Sequence, residues 1–240
     1  MSRAPYSGKD ELELLEQAAN YNRRLVDLVC GVDAPEKRAV DFGAGTGTLA
    51  LAVAERGYEV TCIEPDSDLR ATIAARGVRV LEGLEALDDE SASFIYSVNV
   101  LEHIENDSAT LEQLYRKLHP GGSILLYVPA FPILYSEMDR RVGHVRRYTK
   151  SRLTGLVRAC GLRVEDAEYA DSLGFLVSLV FKWIGSRGLS GWSIRLYDRV
   201  VFPLSRALDA LGLSRVLGKN LVVVARRTKT PLPGAEPAVD

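Results

Sequence analysis

The sequence predicts an α/β fold built on a mostly parallel sheet. Short apolar runs alternate with stretches of helical periodicity along most of the chain. One junction, Val40 to Ala50 (VDFGAGTGTLA), reads as a buried strand, three glycines at alternate positions and a helix start. That arrangement brings bare backbone and helix-initial N–H groups against a ligand. The 240 residues, 47% hydrophobic and 26% charged, are enough to bury one large core.

In chain order, an amphipathic helix comes first, over Lys9 to Cys30, with Leu12, Leu15, Ala19, Leu25, Leu28 and Val29 as its apolar face. Seven strands follow, at Arg38–Phe42, Glu59–Ile63, Val78–Leu81, Ser93–Val98, Ser123–Val128, Arg163–Asp171 and Leu221–Arg226. Helices fall between them at Gly47–Arg56, Asp66–Ala75, Asp107–Leu118 and Ser151–Cys160. Gly57, Gly77 and Gly161 each follow a helix and suit a left-handed cap. Pro120-Gly121-Gly122 reads as a turn, with His119 before it as the C-terminal residue of a helix, placed against the helix dipole. Between the last two strands the alternation breaks. Leu173 to Ile184 is apolar nearly all round, and a second helical pattern, Trp192 to Leu211, carries Arg195, Arg199 and Arg206. A connection of this length in a compact domain is usually functional, and it is expected to act as a lid, a dimer element or a membrane-surface element.

The bulk numbers exclude several classes. A net charge of −2 gives no global pull toward nucleic acid, so no nucleic-acid partner is expected. Cys30, Cys62 and Cys160 are odd in number and dispersed, which points to a reducing cytoplasm rather than a disulfide or zinc framework. His103, His119 and His144 are scattered without ligand spacing, so no metal site is expected. Met1 to Gly8 lacks the apolar core of a signal peptide, and no run of eighteen apolar residues marks a membrane span.

The chemistry-bearing residues narrow the class further. A dinucleotide fingerprint would place its third glycine at Thr48, one residue later than Gly47, which leaves a nicotinamide oxidoreductase as the weaker reading. Glu64 ends the second strand, 23 residues after Asp41, where a carboxylate can accept from both ribose hydroxyls of a bound nucleoside. Together the glycine loop, Glu64, the segment Ser97 to Ile104 (SVNVLEHI) and Leu118-His119-Pro120-Gly121-Gly122 resemble the class I S-adenosylmethionine-dependent methyltransferases over residues 20 to 171 and 219 to 227. Within them, Tyr21-Asn22-Arg23-Arg24 and Gly143 to Thr149 (GHVRRYT) are similar to a small bacterial subgroup of ubiquinone-type and glycan- or lipid-pathway methyltransferases.

The resemblance implies a Rossmann-like seven-stranded, mostly parallel sheet, with helices on both faces, one antiparallel edge strand near the C-terminus, order 3-2-1-4-5-7-6, and a helical insertion before the last strand. It divides the chain into an N-terminal cap helix (1–30), a cofactor-binding domain (31–171 and 219–228), a helical insertion (172–218) and a disordered tail (229–240). It implies S-adenosylmethionine as cofactor, bound by Asp41, Gly43, Ala44, Gly45, Gly47, Glu64, Pro65, Gly83, Leu84, Asn99 and Val100. Gly83 stands where the family often has an acid, while Leu84 can supply a backbone N–H and an apolar wall.

His144 and His103 are the catalytic candidates, since imidazole titrates where a general base is needed. Positive charge around His144 is expected to keep it neutral. Met138 to Arg152 holds six basic residues against the single acid Asp139, a local +5. It reads either as a solvated loop with Thr149 as N-cap, or as an anion clamp. Tyr21, Arg146, Arg147 and Tyr148 are the candidate substrate contacts, with Tyr6 and Tyr135 as further pocket walls. The expected activity is methyl transfer to an anionic or amphiphilic small molecule. The expected partners are that acceptor, a peripheral membrane contact and a second copy of the chain. The alternative is an S-adenosylmethionine-binding fold with a non-methylating activity or a partner-subunit role.

Overall fold

A computed structural model describes residues 17–34, 36–184 and 191–229. Tyr6, residues 9–16 of the expected first helix and the expected tail beyond Lys229 lie outside these residues. The first described helix is α1 (Ala19–Cys30). Then follow β1 (Arg38–Phe42), α2 (Thr48–Ala54), β2 (Glu59–Ile63), α3 (Ser67–Ala75), β3 (Arg79–Leu81) and β4 (Ala92–Val98). The second half runs α4 (Asp107–Lys117), β5 (Leu118–Pro129), α5 (Glu137–Arg141), α6 (Lys150–Ala159), β6 (Leu162–Ala170), α7 (Ser172–Ile184), α8 (Gly191–Leu196), a π-helical turn (Tyr197–Val201), α9 (Phe202–Ala210) and β7 (Asn220–Arg227).

The seven strands form one sheet in the order β3-β2-β1-β4-β5-β7-β6. Period-two alternation divides their side chains between two cores. Val40, Ile95, Ile124 and Leu126 face Leu111 and Leu114 of α4 and Leu153 and Val157 of α6. Ala39, Phe94, Tyr96, Leu125 and Tyr127 face α1, α2 and α3 through Val29, Val53 and Ile73. Gly57, Gly77 and Gly161 take left-handed backbone after their helices, as expected.

Three expectations are corrected. The antiparallel strand is β7, and it lies inside the sheet between β5 and β6 rather than at the edge, because it pairs with both. The Pro120-Gly121-Gly122 segment is not a free turn. Leu118 already pairs with Ala92, and the register then shifts so that Ser123 pairs with Phe94, which absorbs the three residues into β5. His119 therefore lies in the strand, outside α4, with Nδ1 2.9 Å from the Pro120 carbonyl.

The strand order reverses at β1 and β4, where an open α/β sheet carries its ligand crevice. The insertion folds over the far side of that crevice, with α9 packed on α7. It is tied to α1 by Asp198, whose carboxylate accepts from the backbone N–H groups of Asn20 and Tyr21 at 3.0 and 2.9 Å. These are first-turn N–H groups without partners inside the helix, so a remote carboxylate caps α1. Among the described residues no helix is long and apolar enough to cross a membrane.

Candidate active site

The carboxyl ends of the strands open into one cavity of about 1830 Å³. A small-molecule pocket usually holds ~300–1,000 Å³, so this one has room for a nucleoside and a second molecule. Its two ends are built differently.

At the β1–β2 end the wall is mostly backbone. Gly43 has φ +81°, and a Cβ there would sit 2.4 Å from Val100 Cγ2. The loop thus passes so close to the β4 exit that no side chain fits. Glu64, 6% exposed, accepts from Gly45 N–H at 2.8 Å and from Asp66 N–H at 3.0 Å. Each oxygen keeps a lone pair for a further donor. Burial raises its pKa, partly offset by those two N–H bonds. Asp41 lies behind the loop with Oδ2 buried and unbonded. Burial, reinforced by the Glu64 charge, pushes Asp41 up to about 7.

Ala44, Pro65, Gly83, Leu84, Asn99 and Val100 also line this end. Asn99 has φ +54° at the tip of β4 and donates from Nδ2 to Tyr21 Oη at 3.2 Å, leaving its amide oxygen as an acceptor. Gly47 is the exception among the glycines. It is absent from the lining, and a Cβ on it would meet Ile73 Cγ1 at 2.9 Å, so its bareness serves the packing of α2 on α3.

At the β4–β5 end the wall is side chains. His144 Nδ1 lies 2.7 Å from Asp139 Oδ1, and Nε2 lies 3.7 Å from Glu102 Oε1. The loop is fixed by Tyr135, which donates to the His144 carbonyl at 2.7 Å, and by His144 N–H to the Asp139 carbonyl at 2.8 Å. Asp139 also accepts from Ser136 and from Arg147 Nε and Nη2. Burial opposes its charge, but His144 and Arg147 hold it well below the usual carboxylate range. The expectation that positive charge surrounds His144 is therefore corrected: a carboxylate stands against its ring, and Arg147 neutralises that carboxylate from behind. The His103 ring packs edge-on to His144 at 4.7 Å. Burial, then the His144 charge, lowers the His103 pKa to about 4.

Two of the three histidines, His103 and His144, are not scattered. Ligand atoms of Glu102, His103 and His144 lie within 4.8 Å of one another. Chain spacing hid this because residues 104–143 separate the two histidines. Glu102 is wholly buried with both carboxylate oxygens unbonded, and burial pushes it up to about 8.

The anion clamp is corrected as well. Arg146 bonds Asp107 and the Glu105 carbonyl and does not line the cavity. Tyr148 is fully buried, with its hydroxyl on Asp107 and the Leu101 carbonyl. Arg147 reaches the cavity but is spent on Asp139 and the Ala130 carbonyl. Thr149 caps α6 through Arg152 N–H, so this segment is an internally paired loop. Tyr135 is a brace for His144 and not a wall. Of the substrate candidates, Tyr21 stays at the cavity, its ring against Tyr127 and Phe202. Burial raises the Tyr21 hydroxyl to about 12. Sequence reasoning missed Asp139 as the partner of His144. The signal was there, as the one acid in a basic run.

A family model described as "Methyltransferase domain" matches residues 14–167, more than half of the chain. The chain belongs to the class I S-adenosylmethionine-dependent methyltransferases. Trans-aconitate 2-methyltransferase of Deinococcus radiodurans is 31% identical over 207 residues, 76% of this chain and 76% of that protein. An uncharacterised methyltransferase of Mycobacterium tuberculosis H37Rv is 29% identical over 118 residues, 47% of this chain and 45% of that protein. The chain thus matches about half the length of such mycobacterial relatives. In fold, it is similar to phosphoethanolamine N-methyltransferase 2 of Haemonchus contortus in complex with S-adenosyl-L-methionine. That similarity has a TM-score of 0.58 at 17% identity and covers 88% of this chain and 53% of that one.

The family's cofactor is S-adenosylmethionine, and the residues of this chain fit it. The Gly43 cradle has no space for a Cβ, Glu64 keeps two acceptor positions, and the Asn99 amide oxygen is unspent.

Proposed function

We propose that the protein transfers a methyl group to a hydroxyl-bearing, anionic small molecule, with His144 as general base. The observation that carries this is the Asp139–His144 pair, 2.7 Å apart and set in the same cavity as the glycine loop. Bound S-adenosylmethionine supplies an activated methyl group, so positioning and exclusion of water do most of the work. Gly43, Gly45, Glu64, Asn99 and Val100 hold the cofactor; Tyr21, donated to by Asn99, borders the acceptor. Asp139 orients the imidazole with its proton on Nδ1, which leaves Nε2 as the base. The acceptor hydroxyl gives its proton to Nε2 as its oxygen becomes the nucleophile, and the Asp139 charge stabilises the resulting imidazolium. Asp139 needs no proton for this, since Arg147 already holds it ionised.

The relative that methylates trans-aconitate suggests a carboxylic acid acceptor. A carboxylate oxygen needs no base, so the His144 pair favours a hydroxyl on an acceptor that also carries an acidic group.

The insertion supplies the remaining wall of the acceptor half, through Val177, Phe181, Ile194 and Tyr197. Its outer side exposes Leu176, Val180, Trp183, Trp192, Leu196 and Val200 beside the exposed Arg195 and Arg199. An apolar stripe flanked by arginines is the make-up of an interfacial helix, and we read it as resting on an anionic lipid surface. With free Cys30, Cys62 and Cys160, the reading is of a cytoplasmic, peripherally attached enzyme.

The test is transfer of labelled methyl from S-adenosylmethionine to hydroxylated carboxylic and phosphate-bearing acceptors, by wild type and His144→Ala. Transfer by the wild type and its loss in the variant are expected. Equal transfer by both removes His144 from the chemistry.

A further inference from the structure

We infer that Lys219 is the anchor for the acceptor's anionic group, taking a carboxylate or phosphate oxygen on its ammonium. This rests on the methyltransferase reading and deepens it by naming what recognises the acceptor.

The fold places Lys219 on the acceptor side. It immediately precedes β7, its N–H donates to the Asp171 carbonyl at 2.9 Å, and its carbonyl accepts from Ala130 N–H at 2.9 Å. These two bonds pin it between the ends of β5 and β6. β7 lies two strands beyond β4 in the sheet order, about 10 Å across at ~4.8 Å per strand. That is past the cofactor loop and on the insertion's side of the cavity. Its side chain is half-buried and lines the cavity.

The other cations of the lining are committed. Among the described residues they are Arg70, Arg141 and Arg147. Arg70 holds the Glu64 and Pro65 carbonyls, Arg147 holds Asp139, and Arg141 has a partner. The Lys219 ammonium makes no hydrogen bond or ion pair among the described residues. It lies 5.5 Å above the Tyr197 ring.

The obvious counterion makes its hydrogen bonds elsewhere. Asp171 accepts from the Tyr197 hydroxyl on Oδ2 and from Gly174 N–H at 3.0 Å on Oδ1. It acts on Lys219 through space only, opposing the fall in pKa that burial causes. A half-buried cation without a hydrogen-bonded anion is costly in the free protein. A ligand oxygen that reaches it recovers that cost. The compact ammonium sets charge and position and leaves the rest of the acceptor to the apolar walls of α7 and α8.

The experiment is calorimetric titration of the full chain with inorganic phosphate and, separately, with citrate, with and without S-adenosylhomocysteine. Wild type is expected to bind one of the two anions. Lys219→Met should bind it at least tenfold more weakly, and Lys219→Arg within threefold of wild type. S-adenosylhomocysteine affinity should stay within twofold in all three. If Lys219→Met does not fold, Lys219→Gln gives the same comparison. Equal anion binding by wild type and the neutral variant overturns the assignment, and so does wild type binding neither anion. Failure to bind S-adenosylhomocysteine strikes the methyltransferase reading instead, because the anion titration of the free protein is scored on its own. A phosphate-only or citrate-only response tells which acidic group the acceptor carries.

Discussion

The two halves of the cavity are built by different means. The cofactor half is backbone: Gly43 passing Val100, Gly45 N–H on Glu64, and the β4 tip at Asn99. Its parts come from one short stretch of chain and the ends of two neighbouring strands. The half proposed for the acceptor is side chains gathered from Tyr21, Glu102, His103, Asp139, His144, Tyr197 and Lys219. A backbone cradle tolerates little change of sequence, and it serves a ligand common to the whole family. A wall of side chains can be rebuilt residue by residue, which suits the ligand particular to one protein, as we propose for the acceptor. Each half nevertheless keeps one buried carboxyl with unbonded oxygen, Asp41 through Oδ2 alone in the first and Glu102 through both oxygens in the second.

The largest effect should follow from breaking the cradle. Gly43→Val puts a branched side chain where even a Cβ lies 2.4 Å from Val100, on backbone with φ +81°. Cofactor-product affinity should fall at least a hundredfold by calorimetry, with the fold retained by circular dichroism. A fall of less than tenfold would mean that the loop is not the cofactor's seat.

Next is the acceptor half. His144→Ala should lower turnover by roughly 10²–10⁴-fold, the range of a general base, with S-adenosylhomocysteine affinity within twofold of wild type. Asp139→Asn should act in the same direction through a misoriented ring. Dialysis against a chelator should leave turnover unchanged. Loss restored by a divalent cation would turn the Glu102, His103 and His144 cluster from a proton site into a metal site. Glu64→Ala comes third, at least tenfold weaker in cofactor binding, as expected for charge-assisted bonds of ~1.5–3 kcal/mol.

The same division decides what the sequence made legible. The seven strands and the glycine loop with Glu64 follow from local signals, namely alternation, glycine spacing and an acid at a strand end, whereas the strand order came with the family resemblance. The acceptor half depends on which side chains pair across the fold, and pattern carries little of that. Six basic residues near His144 read either as a solvated loop or as an anion clamp, yet Asp107 and Asp139 absorb Arg146 and Arg147. Three dispersed histidines read as unconnected, yet His103 and His144 touch. Lys219 stood in no motif. Its place comes from the entry into β7 and from an aspartate already engaged by Tyr197 and Gly174.

The two buried carboxyls give the smallest effect and the finest comparison. Burial raises Asp41 from 3.8 to about 7 and Glu102 from 4.5 to about 8. Both bind protons more tightly folded than unfolded. The stability this lends is therefore complete below about pH 4 and is lost as pH climbs through 7 to 8. Glu102→Gln removes one carboxyl at nearly constant volume. It should raise Tm at pH 8.5 by at least ~2 °C, the shift that about 1 kcal/mol gives a protein of this size, and change it little at pH 4. Asp41→Asn should do the same with its rise centred about one pH unit lower. Thermal unfolding of the two variants from pH 4 to 9 separates the halves. If Glu102→Gln lowers Tm at pH 8.5, Glu102 is ionised and paired in solution, and the nearest partner able to hold it is His144, whose Nε2 lies 3.7 Å from Oε1. The buried acid would then belong to the proton-transfer group, with Asp139 and Glu102 gripping His144 from both nitrogens.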